Sequence, residues 1–356
     1  MVPGRLLAVA AVLAVAVGCG SDRPAPTPAA ATPTSAPPAT VAPAVPEPTP
    51  VVAAGRDAWV AVAVATVWNQ PGQARPVDQP SLSNPVDVRK WTATMTVDEK
   101  LWLVDKLATQ VLYGDRVAVR EMSGSWARVV VPGQPSSQDP GGYPGWLPVA
   151  QLVATGPAAG TGRTAVVTRP TAPLRDPADQ THELLELSYN TRLPVVATAA
   201  DRVTVAVPGG RRAVLAAGDV EVQAPGPQPT TPADLVQSAR LFSGLPYLWA
   251  GTSAAGFDCS GFTAAVYGAH GIVLPRDADD QALLAGTPVD RNHLQPGDLL
   301  FYASDGGRGA IYHVSMYVGA GMMIQSPATG RTVETVPVDT PSMVTQFWGA
   351  RRYLPG

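Results

Sequence analysis

Gly256-Phe257-Asp258-Cys259-Ser260-Gly261-Phe262 places a cysteine where a glycine-bounded loop, Gly251 to Gly256, gives way to a helical pattern. From Ser260 the chain carries Phe262, Ala265 and Val266 on one side and stops at Gly271, the residue type that ends helices in a left-handed turn. A shorter helical pattern, Asp234 to Phe242, precedes it, with Leu235, Ala239 and Phe242 on one side. Beyond it, Leu299-Leu300-Phe301-Tyr302, His313 to Val318 and Met322 to Ser326 read as antiparallel strands. Helices followed by a run of strands indicate an α+β domain, which we place at residues 229–356.

The same stretch carries the chemistry. A thiol at a helix N-terminus faces unpaired N–H groups and the positive end of the dipole, which favours thiolate over thiol. A thiol nucleophile also needs a base held by a third group. In Tyr312-His313-Val314-Ser315-Met316-Tyr317-Val318, alternation puts Val314, Met316 and Val318 on one face and His313, Ser315 and Tyr317 on the other. If Gly319-Ala320-Gly321 is a three-residue hairpin loop, Val318 pairs with Met322 and Ser315 with Gln325. Gln325 then shares the face of His313 as a diagonal neighbour, whereas a two-residue loop turns it away. His270 and His293 read as surface residues. None of the four histidines stands at metal-ligand spacing from another, so neither a zinc site nor any other cofactor is expected.

Upstream the pattern is strand-like. From residue 56 to 155, short runs such as Trp59 to Ala65, Arg116 to Val119 and Trp126 to Val131 are separated by turn clusters at Pro71-Gly72 and Met122 to Ser125. The exception is Thr96 to Gln110, where Thr96 and Glu99 form a capping-box pair ahead of Leu101, Leu103, Val104 and Leu107, which predicts a helix. A second set of strands spans residues 163–224, including Leu193 to Val196 and Arg202 to Val207. Gly156 to Gly162 and Pro225 to Pro232 read as linkers. Period-2 runs with frequent turns argue for two small all-β barrels.

Charged residues are 15% of the 356, and 25 Lys and Arg face 28 acids, which excludes a basic nucleic-acid footprint. Arg5 precedes Leu6 to Val17, a run of Leu, Ala and Val too short to span a bilayer and suited to a signal-peptide core. It ends Ala16-Val17-Gly18-Cys19, similar to a bacterial lipobox, so residues 1–18 are expected to be cleaved and Cys19 lipidated. Residues 19–55 are proline-rich, a semi-rigid spacer with Glu47 the one charge between Pro24 and Pro50. The expected location is the outer face of a bacterial cell membrane, held by the lipid alone. Cys259 is then a lone thiol in an oxidising compartment, where unpaired cysteines are seldom idle.

Tyr247-Leu248-Trp249-Ala250-Gly251-Thr252, the Asp258-Cys259-Ser260-Gly261-Phe262 core, Leu274-Pro275-Arg276-Asp277, Pro296-Gly297-Asp298-Leu299 and His313 to Gly319 together resemble the NlpC-type cysteine peptidases, papain-like enzymes that cut murein peptides. Asn84-Pro85-Val86-Asp87, Trp91 to Leu103, Gly142 to Pro148 and Ser188 to Pro194 resemble a narrower subgroup with two SH3-like domains before the peptidase. Its members are γ-D-glutamyl-L-diamino-acid endopeptidases preferring a free N-terminal L-Ala. The resemblance implies Cys259 as nucleophile, His313 as base and Gln325 as its orienting group. It implies that Asp258, Ser260 and Asp277 line the substrate subsite, that Tyr247 lies beside the nucleophile and that Tyr143 reaches over the cleft from the first barrel. Gln325 stands where relatives have a third histidine, Ala278 where they have a serine, and Ala108 where they have the glutamate that binds the free amine. Asp105, about one helical turn before Ala108, is the available substitute. The expected activity is hydrolysis of the γ-D-Glu–diaminopimelate bond of murein peptides by a monomer. The alternatives are an amidase cutting the sugar–peptide bond and an inert, tethered wall-binding protein.

Overall fold

The computed structural model describes residues 51–226 and 228–354; the expected export signal, Cys19 and most of the proline-rich segment lie outside the described residues. Two all-β SH3-like units precede an α+β unit. In the first, β1 (Asp57–Val60), β2 (Val64–Trp68), β3 (Leu107–Leu112), β4 (Arg116–Ser123), β5 (Trp126–Val131), β6 (Tyr143–Pro148) and β7 (Leu152–Val153) form one antiparallel sheet in the order β3-β2-β6-β5-β4-β1-β7. The alternation Val117, Val119 inward and Arg116, Arg120 outward lets β4 close over a valine-rich core shared with Val60, Val67, Val111, Val129 and Leu147. The second unit repeats the plan with β8 (Thr164–Val167), β9 (Thr171–Arg175), β10 (Glu183–Ser188), β11 (Arg192–Thr198), β12 (Arg202–Val207), β13 (Arg211–Ala216) and β14 (Val220–Gln223), around Leu174, Leu187, Val195, Val205 and Leu215.

Two sequence expectations give way here. Trp59 to Ala65 is two strands, because the chain turns a corner at Ala61–Ala63: β1 lies between β4 and β7, β2 between β3 and β6. The predicted helix from Thr96 to Gln110 is a helix only at its start. Helices α1 (Gln79–Leu82), α2 (Val88–Thr94) and α3 (Val97–Leu101) form the insertion, and Thr96 does cap α3 with Glu99 reaching back. After α3 the chain makes tight turns, with Asp105 at φ 60°, and Leu107–Leu112 pairs with β2 as a strand. Every residue of that strand is buried, so it lacks the period-2 alternation that marks a half-exposed strand. Asp105 is therefore not one helical turn from Ala108.

The third unit packs α4 (Pro232–Arg240), α5 (Cys259–Ala269) and α6 (Ala278–Leu284) on a six-stranded sheet. A short pair, β15 (Thr252–Ser253) and β16 (Gly256–Phe257), leads into α5. The sheet comprises β17 (Thr287–Val289), β18 (Leu299–Ala303), β19 (Ile311–Gly319), β20 (Met322–Gln325), β21 (Glu334–Pro337) and β22 (Phe347–Arg352), ordered β17-β22-β18-β19-β20-β21. Phe262 and Val266 of α5 meet Phe301, Val314, Met316 and Ile324 of the sheet in one buried cluster. The first unit is sewn to the third by another cluster, in which Trp68, Trp91, Leu103 and Leu107 pack on Leu248 and Ala250. At about 25 cal/mol per Å² of apolar surface, such side chains are worth about 1.5–3 kcal/mol each when fully buried.

Candidate active site

Cys259 is the first residue of α5, and Asp258 is its N-cap, the carboxylate accepting the Gly261 N–H at 2.6 Å. A Cβ on residue 261 would sit 2.0 Å from the Gly251 carbonyl oxygen, so glycine alone lets the preceding loop fold against the helix start. On the other side of the cysteine is β19: the Val314 N–H, one residue beyond His313, faces the Cys259 sulfur. Burial opposes the helix terminus here. Burial pushes the thiol up to about 12 and Asp258 adds to this, against the N–H groups of Val314 and Ser260 and the Arg276 charge. Desolvation of a fully buried group reaches several pKa units, more than the ~0.3–2 kcal/mol that a helix terminus supplies.

His313 pairs with Tyr302 across β18 and β19, its ring 5.7 Å from that tyrosine and 6.4 Å from Tyr312. Its Nε2 lies 2.7 Å from the Gln325 amide oxygen. Burial lowers the imidazole below its ordinary value, opposed by the Gln325 bond. Burial thus disfavours the charged form of the thiol and of the imidazole alike. The hairpin that brings Gln325 here is not the three-residue loop expected. Gly319 pairs with Met322, leaving two residues at the tip, and a bulge at Val318 restores the register so that Met316 pairs with Ile324. The extra residue in one strand cancels the shorter loop, so Gln325 keeps the face of His313.

Tyr143, Tyr247, Asp258, Cys259, Ser260 and Asp277 line one cleft of about 730 Å³, with Asp105, Ala108 and Ala278 also on its wall. His313 is buried and does not line the cleft, although its neighbours Ile311 and Tyr312 do. Tyr143 crosses from β6: its hydroxyl donates to the Asp277 carboxylate at 3.0 Å and accepts from the Gln138 amide at 2.9 Å. Asp277 stands at the N-cap of α6 but makes no capping bond, its side chain being committed to Tyr143 and Gln138. Burial raises the Asp277 carboxyl, while Arg276 and Tyr143 pull it down. Burial, reinforced by Cys259 and Asp258, raises the Tyr247 hydroxyl, so it remains a protonated donor. A separate cavity of about 340 Å³, walled by Val86, Leu184 and Ala254, has no cysteine or histidine in its lining. Among the described residues no group of three or more His, Cys, Asp and Glu could hold a metal ion.

Arg276 was not singled out from sequence. Only 2% exposed, it holds both oxygens of Asp258 (Nη2 at 2.6 Å, Nη1 at 3.2 Å), the Ser260 hydroxyl at 3.0 Å and, through Nε, the Thr109 hydroxyl of β3 at 2.8 Å. One side chain thus ties the residues flanking Cys259 to the first barrel. The signal was an arginine beside Leu274-Pro275, a setting in which a charge needs a partner.

Residues 244–352 match the NlpC/P60 family, and residues 167–222 match the YKFC SH3b2 domain. The chain is 46% identical over 304 residues to the γ-D-glutamyl-L-lysine dipeptidyl-peptidase of Bacillus cereus, covering 84% of this chain and 91% of that one. It is 40% identical over 295 residues to the protein of the same name from Bacillus subtilis, covering 82% and 97%. The crystal structure of an NlpC/P60 family protein from Bacillus cereus superposes with a TM-score of 0.79 at 44% identity, over 84% of this chain and 100% of that one. The chain belongs to the NlpC/P60 family of peptidases.

Proposed function

We propose that this protein is a thiol peptidase that hydrolyses the γ-D-glutamyl–L-diamino acid bond of short murein peptides. The observation that carries the reading is that Cys259, at the first turn of α5, packs in one buried cluster with Val314 of β19, the strand that carries the Gln325-held His313, beside a cleft lined by Tyr143 and Asp277. The relatives named γ-D-glutamyl-L-lysine dipeptidyl-peptidase support the choice of bond. Nε2 of His313 is occupied by Gln325, which leaves Nδ1 to take the thiol proton as Cys259 attacks the γ-glutamyl carbonyl. The oxyanion is met by the Cys259 N–H and the Tyr247 hydroxyl. The imidazolium then protonates the leaving amine, and water, deprotonated by the same ring, hydrolyses the thioester. Because burial disfavours the charged form of each group, the proton moves with the attack rather than before it. We further propose that Cys19 anchors the protein outside the cell membrane.

The test is Cys259→Ala assayed by mass spectrometry on L-Ala-γ-D-Glu linked to diaminopimelate or to L-Lys. Release of L-Ala-γ-D-Glu should vanish. Residual turnover above about a tenth of wild type removes Cys259 from the nucleophile's role, because loss of an attacking group costs orders of magnitude.

A further inference from the structure

The chain of contacts does not end at Gln325. Glu334 is the cross-strand partner of Gln325 on β21, and its carboxylate accepts the Gln325 amide N–H at 3.0 Å. Nη2 of Arg331 holds both oxygens of that carboxylate at 2.6 Å. Arg331 is largely exposed; Glu334 is about three-quarters buried, its side chain 24% exposed. An ionised carboxylate accepts and cannot donate, whereas a carboxamide has one donating and one accepting end. A glutamine at the third position is ambiguous on its own. Turned over, it would present its NH2 to His313, which would then need an unprotonated Nε2 and would carry its proton on Nδ1. Imidazole in that tautomer has no lone pair at Nδ1 with which to take a proton from a thiol.

We propose that Glu334 is a positioning residue for the reaction: it fixes the Gln325 amide with its oxygen toward His313, and so sets the imidazole tautomer that leaves Nδ1 basic. Arg331 holds the carboxylate in place. The assignment deepens the reading of His313 as base and rests on it. It also explains how a neutral glutamine serves there: the negative charge is displaced one residue outward, where it stabilises the imidazolium through the amide.

The test uses the full chain carrying Glu334→Gln, which keeps the shape but gains a donor, so the Gln325 amide is no longer forced one way. With saturating tripeptide, kcat should fall roughly threefold to tenfold, on the scale of losing a bond to a charged group, while KM stays within about twofold. Glu334→Asp should recover part of the loss. The independent readout is the 15N resonances of His313, assigned by their loss in His313→Asn: wild type should show the Nε2–H form, and Glu334→Gln a mixture with Nδ1–H. Unchanged kcat with an unchanged tautomer overturns the proposal. So does a lower kcat with an unchanged tautomer, because a merely structural role gives that result. The NMR measurement needs no turnover, so it fails or succeeds separately from the assignment of Cys259.

Discussion

Replacing Arg276 by Met isolates the interaction that joins the first barrel to the start of α5. Methionine keeps most of the apolar stem but removes the guanidinium, and with it the two bonds to Asp258 and one each to Ser260 and Thr109. Asp258, 8% exposed, then keeps the Gly261 N–H and a long contact from the Ser260 hydroxyl at 3.4 Å. A buried charge stripped of its partner costs about 3–5 kcal/mol, and we expect that loss in Arg276→Met. Asp258→Asn retains the cap through its carbonyl oxygen but takes from Arg276 the carboxylate it bonds in a buried site, so it should be destabilising too. Removing both charges leaves neither charge stranded, so Asp258→Asn with Arg276→Met should be more stable than the sum of the singles by about 2–3 kcal/mol. Urea denaturation of the four proteins, with m unchanged between them, measures this cycle. A loss below about 1 kcal/mol in Arg276→Met, or strict additivity, would show that Asp258 escapes to solvent and that the ion pair does not hold the cleft together.

Four further outcomes follow from the same geometry. The kcat/KM profile should fall on the acid side only, through a value below the ordinary 6.5 of histidine, because protonation there removes the neutral base; an alkaline limb below about pH 8 would instead reveal a resident thiolate–imidazolium pair. Iodoacetamide should alkylate Cys259 at pH 6 more slowly than it alkylates free cysteine, and faster labelling would contradict the burial-raised thiol. Free tri- and tetrapeptides should be cut much faster than intact sacculus, since Leu101, Val104, Gln138 and Tyr143 of the first unit wall the cleft, and efficient solubilisation of sacculus would refute a closed cleft. Acetylating the L-Ala amine should cost less than about tenfold in kcat/KM, because Ala108 offers no carboxylate and Asp105, though on the cleft wall, is exposed, where an ion pair is worth about 0–1 kcal/mol; a hundredfold loss would assign the amine to Asp105 or another acid.

Much of the α+β unit was readable from short-range pattern. The start of α5 at Asp258-Cys259 and the capping box at Thr96 and Glu99 are written in a few consecutive residues, because a cap satisfies N–H groups two or three positions away. The alternation around His313 likewise needed only the period of a strand. Tertiary structure decided what depends on a distant partner. Leu107–Leu112 became a strand because β2 lay beside it to pair with and both of its faces were covered. Gln325 met His313 through a bulge whose position is set by sheet pairing, and Glu334 joined them from a strand that no local signal aligned. Arg276 gained its meaning from Thr109, which is remote in sequence and contributed by another unit. The environment of Cys259 is tertiary in the same sense. A helix terminus can be seen in the sequence, but the burial that outweighs it is created only when the loop, α5 and β19 close around the sulfur.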